Sequence, residues 1–126
     1  MRGLCTLKEV FKLIYVFEEQ LKNEFDLSIN ETLTLCALSG ENKEVKCSGV
    51  MADEIGISVS RMSRVFSSLE DKSLIVRKIG KDDKRKMVFT LSEKGKKKLE
   101  KMNNSNIKVP EIFLAGKETI PQEQKQ

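Results

Sequence analysis

The segment Gly56-Ile-Ser-Val-Ser-Arg-Met-Ser-Arg-Val-Phe-Ser-Ser-Leu-Glu-Asp-Lys72 sets an apolar stripe against a face of hydroxyls and guanidinium groups. Ser58 can cap a helix over Val59 to Lys72, because its side-chain oxygen can accept from an amide of the first turn. Val59, Met62, Phe66 and Leu69 recur at helical spacing and form the expected buried stripe. Ser60, Arg61, Ser63, Arg64, Ser67 and Ser68 fill the opposite face. Serine is a poor interior helix former, so four of them in one helix call for a reason.

Upstream, Ser48 can cap a short helix from Gly49 to Ile55, with Gly56 as its stop and Ala52 small enough for close helix approach. Two helices joined across Gly56-Ile-Ser58 read as a helix-turn-helix. Before them, Ser28-Ile-Asn-Glu31 is a capping-box pattern. It opens a helix to about Ser39, with Ile29, Leu33, Cys36 and Ala37 on its apolar side and Gly40 as the stop. Downstream the period changes. Leu74 to Ile79 is rich in β-branched residues, and Met87, Phe89 and Leu91 alternate with Val88 and Thr90. Between them lies Gly80-Lys-Asp-Asp-Lys-Arg-Lys86, the charged tip of a β-hairpin. Ser92 then caps a helix from Glu93 to Met102 that carries Lys94, Lys96, Lys97, Lys98 and Lys101.

The chain's first helix spans 4 to 25. Leu4, Leu7, Phe11 and Ile14 form a seam that Val10, Phe17 and Leu21 continue and Leu13 and Val16 widen. A surface helix of a monomer needs only one apolar stripe. This one is either a central core helix or one shared between two subunits, and in so small a domain the second reading is favoured. After Asn103-Asn-Ser-Asn106, the residues Ile107, Val109, Ile112, Phe113 and Leu114 make a short apolar segment, with Pro110 suited to the first turn of a small helix. Residues 117–126 are polar and aperiodic and read as a disordered tail.

Composition narrows the function. The 126 residues are 39% hydrophobic and 33% charged, which fits one soluble domain. No apolar run approaches the roughly 18 residues needed to span a bilayer. Lys8 and Glu9 interrupt what would be a signal peptide's apolar stretch, so a cytoplasmic protein without a membrane partner is expected. Histidine is absent, which removes imidazole from every catalytic and metal-binding scheme. The three cysteines lack CxxC spacing, so neither zinc nor any other metal or cofactor is expected. Asp82 and Asp83 sit among lysines in the hairpin tip, an unsuitable place for a carboxylate of raised pKa, and no enzyme is expected. Residues 73–102 carry 11 Lys/Arg against 4 Asp/Glu, whereas the rest of the chain is slightly acidic. A basic quarter of this kind suits a polyanion, nucleic acid before membrane.

A helix-turn-helix followed by a basic hairpin is the winged helix-turn-helix, a mainly α fold with a small β-hairpin wing (α+β). Its second helix fits the major groove of double-stranded DNA, where each base pair shows a distinct donor and acceptor pattern. Ser58, Ser60, Arg61, Ser63, Arg64 and Ser67 are the candidate recognition-helix contacts. Arg77, Lys81, Asp83, Lys84, Arg85 and Lys86 are the candidate wing contacts, the tip being placed to reach an adjacent minor groove. The alternative is a winged helix that uses the same face for protein contacts, without sequence-specific DNA binding.

The run Leu69-Glu-Asp-Lys-Ser-Leu-Ile-Val-Arg77, then Asp83-Lys-Arg85, then Thr90-Leu-Ser-Glu-Lys-Gly95, resembles the MarR (multiple antibiotic resistance regulator) family of bacterial transcription regulators. Ser73 stands where that family prefers Gly, and Ser92 where it prefers Thr. The resemblance covers about residues 5 to 102 and is also reminiscent of the staphylococcal accessory regulator branch. It implies a homodimer on a palindromic operator, with Arg85 entering the minor groove and Asp83 holding it. Residues 1–116 then form a single domain, with helical dimerisation parts at 4–25 and 107–114 and a DNA-binding part at 28–102. Leu7, Phe11, Ile14, Ile112 and Phe113 are the candidate dimer contacts. The resemblance also implies release by a small-molecule effector or an oxidant, with Cys5 the candidate redox residue. The family usually ends in a long helix packed on its first, and here only a short apolar segment follows.

Overall fold

The computed structural model describes residues 3–40, 47–79, 87–107 and 109. Five helices and one hairpin follow in order: α1 (Leu4–Phe25), α2 (Ile29–Leu38), α3 (Ser48–Ile55), α4 (Val59–Asp71), β1 (Ile75–Ile79), β2 (Met87–Leu91) and α5 (Glu93–Asn103). The serines at the starts of α2, α4 and α5 behave as their patterns predict. Ser28, Ser58 and Ser92 each accept from the amide three residues on, and Glu31 returns the bond to the Ser28 amide. At α3 the boundary differs by one residue, because Cys47 is the N-cap and Ser48 is already helical.

β1 and β2 pair antiparallel, with Ile75 opposite Leu91 and Ile79 opposite Met87. One core joins the elements: Leu21 and Phe25 of α1, Leu27, Leu35 of α2, Met51 and Ala52 of α3, Met62, Val65, Phe66 and Leu69 of α4, Leu74, Ile75, Phe89 and Leu99. The Phe66 and Phe89 rings stack at 4.0 Å. α5 approaches the start of β1 so closely that a side chain on Gly95 would collide with the Leu74 carbonyl oxygen. The Ser92 amide and hydroxyl close the same corner on the carbonyls of Leu74 and Ser73.

Three expectations about faces are corrected. On α4, Val59 is 56% exposed and Val65 takes its place in the buried stripe. On α2 the buried residues are Glu31, Thr34 and Leu35, whereas Leu33 and Cys36 are exposed. Ser68 leaves the solvent face of α4, where it was expected, and donates to Glu31 at 2.9 Å. Ile107 packs against the core, and Val109 is exposed. The expected small helix at Pro110, the contacts Ile112 and Phe113, and the tail at 117–126 lie outside the described residues. So do the wing-tip contacts Lys81, Asp83, Lys84, Arg85 and Lys86. Among the described residues no helix is long and apolar enough to cross a membrane.

Candidate nucleic-acid interface

α4 is held from behind and bare in front. Met62 and Leu69 are fully buried, with Phe66 and Val65 beside them. Ser60, Arg61, Ser63, Arg64 and Ser67 are all exposed. The division follows from the helical period: residues 62, 65, 66 and 69 share one side, and residues 60, 61, 63, 64 and 67 look the other way. Neither arginine has a carboxylate partner among the described residues. Ser58 is partly committed, since its oxygen accepts from the Arg61 amide at 3.1 Å, yet its hydroxyl proton remains available. Spacing alone predicts a buried place for Val59. The structure instead puts it among the exposed residues of α4's first turn, the part of a recognition helix that meets base edges.

The clamps on α4 gather in its C-terminal half. Glu31, 7% exposed, accepts from Ser68 at 2.9 Å and from the Lys72 ammonium at 2.9 and 3.1 Å. Lys72 also donates to the Asp26 carbonyl. Burial pushes the Glu31 carboxyl up, but the Lys72 bond, the Ser28 amide, the Ser68 hydroxyl and the Lys72 charge together hold it below the usual range. Arg77 is drawn into the same scaffold. It pairs with Glu70 at 2.7 Å and lies over the Phe89 ring. Among the described residues, the first-turn side chains that face outward carry no such tie.

Of the candidate dimer contacts, Leu7 and Phe11 are exposed and Ile14 is half-buried. Leu4, Cys5, Leu7, Lys8, Phe11, Lys12 and Tyr15 line an apolar groove on α1. A separate cleft of about 510 Å³ lies between α2, the hairpin and α5, lined by Leu38, Phe89, Leu91, Lys78 and Lys96 among others. Cys5 and Cys36 are exposed free thiols, and desolvation of the Cys36 sulfur pushes its pKa up, which works against thiolate formation. Among the described residues no cluster of metal-ligating side chains occurs.

A family profile described as transcriptional regulator SarA/Rot matches residues 16–102. A comparison with curated protein sequences returns no match. Among solved structures, the Staphylococcus aureus MepR–DNA complex aligns with a TM-score of 0.73 at 18% identity, covering 98% of this chain and 85% of that one. Bordetella bronchiseptica BpsR, whose DNA binding is described as regulated by 6-hydroxynicotinic acid, aligns with a TM-score of 0.71 at 18% identity, covering 82% and 72%. A MarR/EmrR family regulator from Acinetobacter sp. ADP1 gives 0.67 at 21% identity, covering 79% and 68%. At such identities these neighbours speak for the fold, the winged helix expected from the MarR resemblance. The profile covers the helix-turn-helix, both strands of the wing and most of α5, and the chain belongs to the SarA/Rot family of transcriptional regulators.

Proposed function

We propose that this regulator binds a palindromic DNA operator as a homodimer, placing α4 in the major groove and the hairpin tip in the adjacent minor groove. The observation that carries the reading is the division of α4 into a buried apolar side and an exposed side of Ser60, Arg61, Ser63, Arg64 and Ser67. Guanidinium groups without a carboxylate partner among the described residues can bond guanine edges bidentately or grip phosphate. Val59 adds an exposed apolar surface suited to the thymine methyl group. In the wing, Lys81, Lys84, Arg85 and Lys86 supply the charge, and Asp83 restrains Arg85. Leu7, Phe11 and Ile14 join Ile112 and Phe113 in the dimer contact, so that residues 1–116 act as one unit with both functions. A small anionic effector would find apolar walls and two lysines in the cleft between α2, the hairpin and α5.

The test is a titration of labelled operator against scrambled duplex over a series of salt concentrations. Specific binding should exceed binding to scrambled duplex at every salt. Arg61→Ala and Arg64→Ala should each cost about 1–3 kcal/mol and relax preference at one operator position. An equal proportional loss on every sequence would reduce α4 to a phosphate grip and favour the alternative without sequence-specific DNA binding.

A further inference from the structure

Arg77 stands in a closed circuit of contacts. Its Nη2 donates to Glu70 Oε1 of α4 at 2.7 Å. Its guanidinium carbon lies 5.3 Å from the centroid of Phe89, the residue opposite it across the hairpin. Phe89 in turn stacks on Phe66 of α4 at 4.0 Å. The circuit thus leaves α4 at Glu70, passes through β1 and β2, and returns to α4 at Phe66. We propose that Arg77 is a positioning residue that braces the wing against the recognition helix, and that it is not a phosphate ligand. The proposal rests on the DNA-binding reading above and specifies how the two contact elements keep their mutual angle.

Three physical points support it. Only Lys72, Ser73 and Leu74 separate α4 from β1, so the hairpin leaves the helix through one sharp bend at Ser73, φ 63°. Bonds from Ser92 fasten the base of that bend, and nothing else described fastens the strand beyond it to α4's last turn as Arg77 does. Second, Glu70 and Asp71 put acid in the last turn of α4, where unsatisfied carbonyls already make negative potential, and that turn holds no basic residue. A cation from outside the helix favours Glu70 there, and among the described residues Arg77 is the one that pairs with it. Third, a planar guanidinium can pair edge-on with a carboxylate while lying over a ring face, which an ammonium does less well. Moving Arg77 to a phosphate would break both contacts at once.

The two roles give opposite signs in Glu70→Gln. Removing a negative charge and freeing Arg77 should tighten binding if Arg77 reaches phosphate. A lost brace weakens it, by about three- to tenfold for an ion pair discounted for its partial exposure. Arg77→Gln should lose as much, the double variant no more than Arg77→Gln alone, and the salt slope should stay that of the native chain. A lost phosphate contact would shallow the slope by about 0.9 per subunit. Hydrogen exchange without DNA provides an independent arm: strand amides of 75–79 and 87–91 should exchange faster in both variants while those of residues 62–69 do not. Tighter binding by Glu70→Gln, or a shallower slope in Arg77→Gln, overturns the brace. If the native chain binds no duplex, the operator reading fails and exchange alone decides, unchanged hairpin protection then overturning the brace. Should Arg77→Gln not fold, Glu70→Gln carries the same comparison.

Discussion

α1 and α4 are both amphipathic helices, yet they dispose of their apolar residues in opposite ways. α4 buries Met62, Val65, Phe66 and Leu69 and leaves polar side chains outside. α1 buries only Leu21 and Phe25, at its C-terminal end. From Leu4 to Val16 it leaves Leu4, Leu7, Phe11, Leu13, Tyr15 and Val16 in solvent, and Phe11 and Tyr15 stack on each other there at 6.1 Å. Hydrophobic periodicity reports that a face will be covered and does not report by what. α4's face is covered by this chain, and α1's face exceeds what the described chain covers. That surplus is the surface we assign to the proposed dimer contact.

The comparison breaks most visibly at Phe11. Phe11→Asp leaves the core untouched, since the ring is already exposed. It should convert a particle of about twice 14.3 kDa into one of 14.3 kDa by light scattering. Operator affinity should fall by at least about a hundredfold, because the second half-site is no longer tethered to the first. A Phe11→Asp protein that keeps its mass and its affinity would show that α1 is not the shared surface.

On the α4 side the corresponding weak point is Glu31. Glu31→Ala takes the carboxylate from the Ser68 hydroxyl and from the Lys72 ammonium, which keeps the Asp26 carbonyl, at about 2–3 kcal/mol for a pair not wholly buried. The sign of the pH dependence follows from the direction of the shift. The folded carboxyl lies below the usual 4.5, so its stabilisation is complete above that value and is lost as pH falls through the lower, folded value. Denaturant midpoints should therefore fall in acid more steeply for the native chain than for Glu31→Gln. Parallel acid profiles would remove Glu31 as the anchor of α4.

Element boundaries were legible because they are local. Ser28, Ser58 and Ser92 cap within their own first turns, and the change of period after Leu74 is read from adjacent residues. The exposed arginines and serines of α4 were legible for the same reason. Faces were less so. Val59 and Val65 both fit a helical stripe containing Met62, Phe66 and Leu69, and only the packing of α2, α3 and β1 on α4 chooses between them. Glu31 announced itself as a capping residue, but its other partners, Ser68 and Lys72, are 37 and 41 residues away. Arg77 looked like wing charge because its tether to Glu70 exists only once β1 has folded back along α4.

Val59 sharpens the comparison with a smaller effect. It is the apolar residue that α4 leaves outside, as α1 leaves many, and a thymine methyl group is the contact we assign to it. Val59→Ala should leave stability nearly unchanged, because the side chain is 56% exposed. Operator binding should weaken by up to about 1 kcal/mol, the value of roughly one buried methylene. Replacing one thymine of the operator by deoxyuracil should cost the native chain a similar amount and Val59→Ala nothing further. If no single thymine behaves this way, Val59 faces sugar or solvent in the complex.

The smallest expected effect lies at the bend that lets α4 hand the chain to β1. Ser73 holds φ 63°, a left-handed conformation that brings Cβ toward the following carbonyl. Its carbonyl accepts from Ser92, its amide donates to Glu70, and its side chain is exposed. Everything the fold draws from Ser73 is therefore backbone, which glycine also has. Ser73→Gly removes about 1–2 kcal/mol of steric strain and adds about 0.5–1 kcal/mol of unfolded-chain entropy. The net should be a gain of about 0.5–1 kcal/mol, seen as a rise of a few degrees in Tm. Ser73→Ala keeps the Cβ and should give no gain, which separates relief of strain from loss of the hydroxyl. Equal gains from both would place the cost in the serine side chain, and a loss from Ser73→Gly would mean that the stiffness of this bend outweighs its strain.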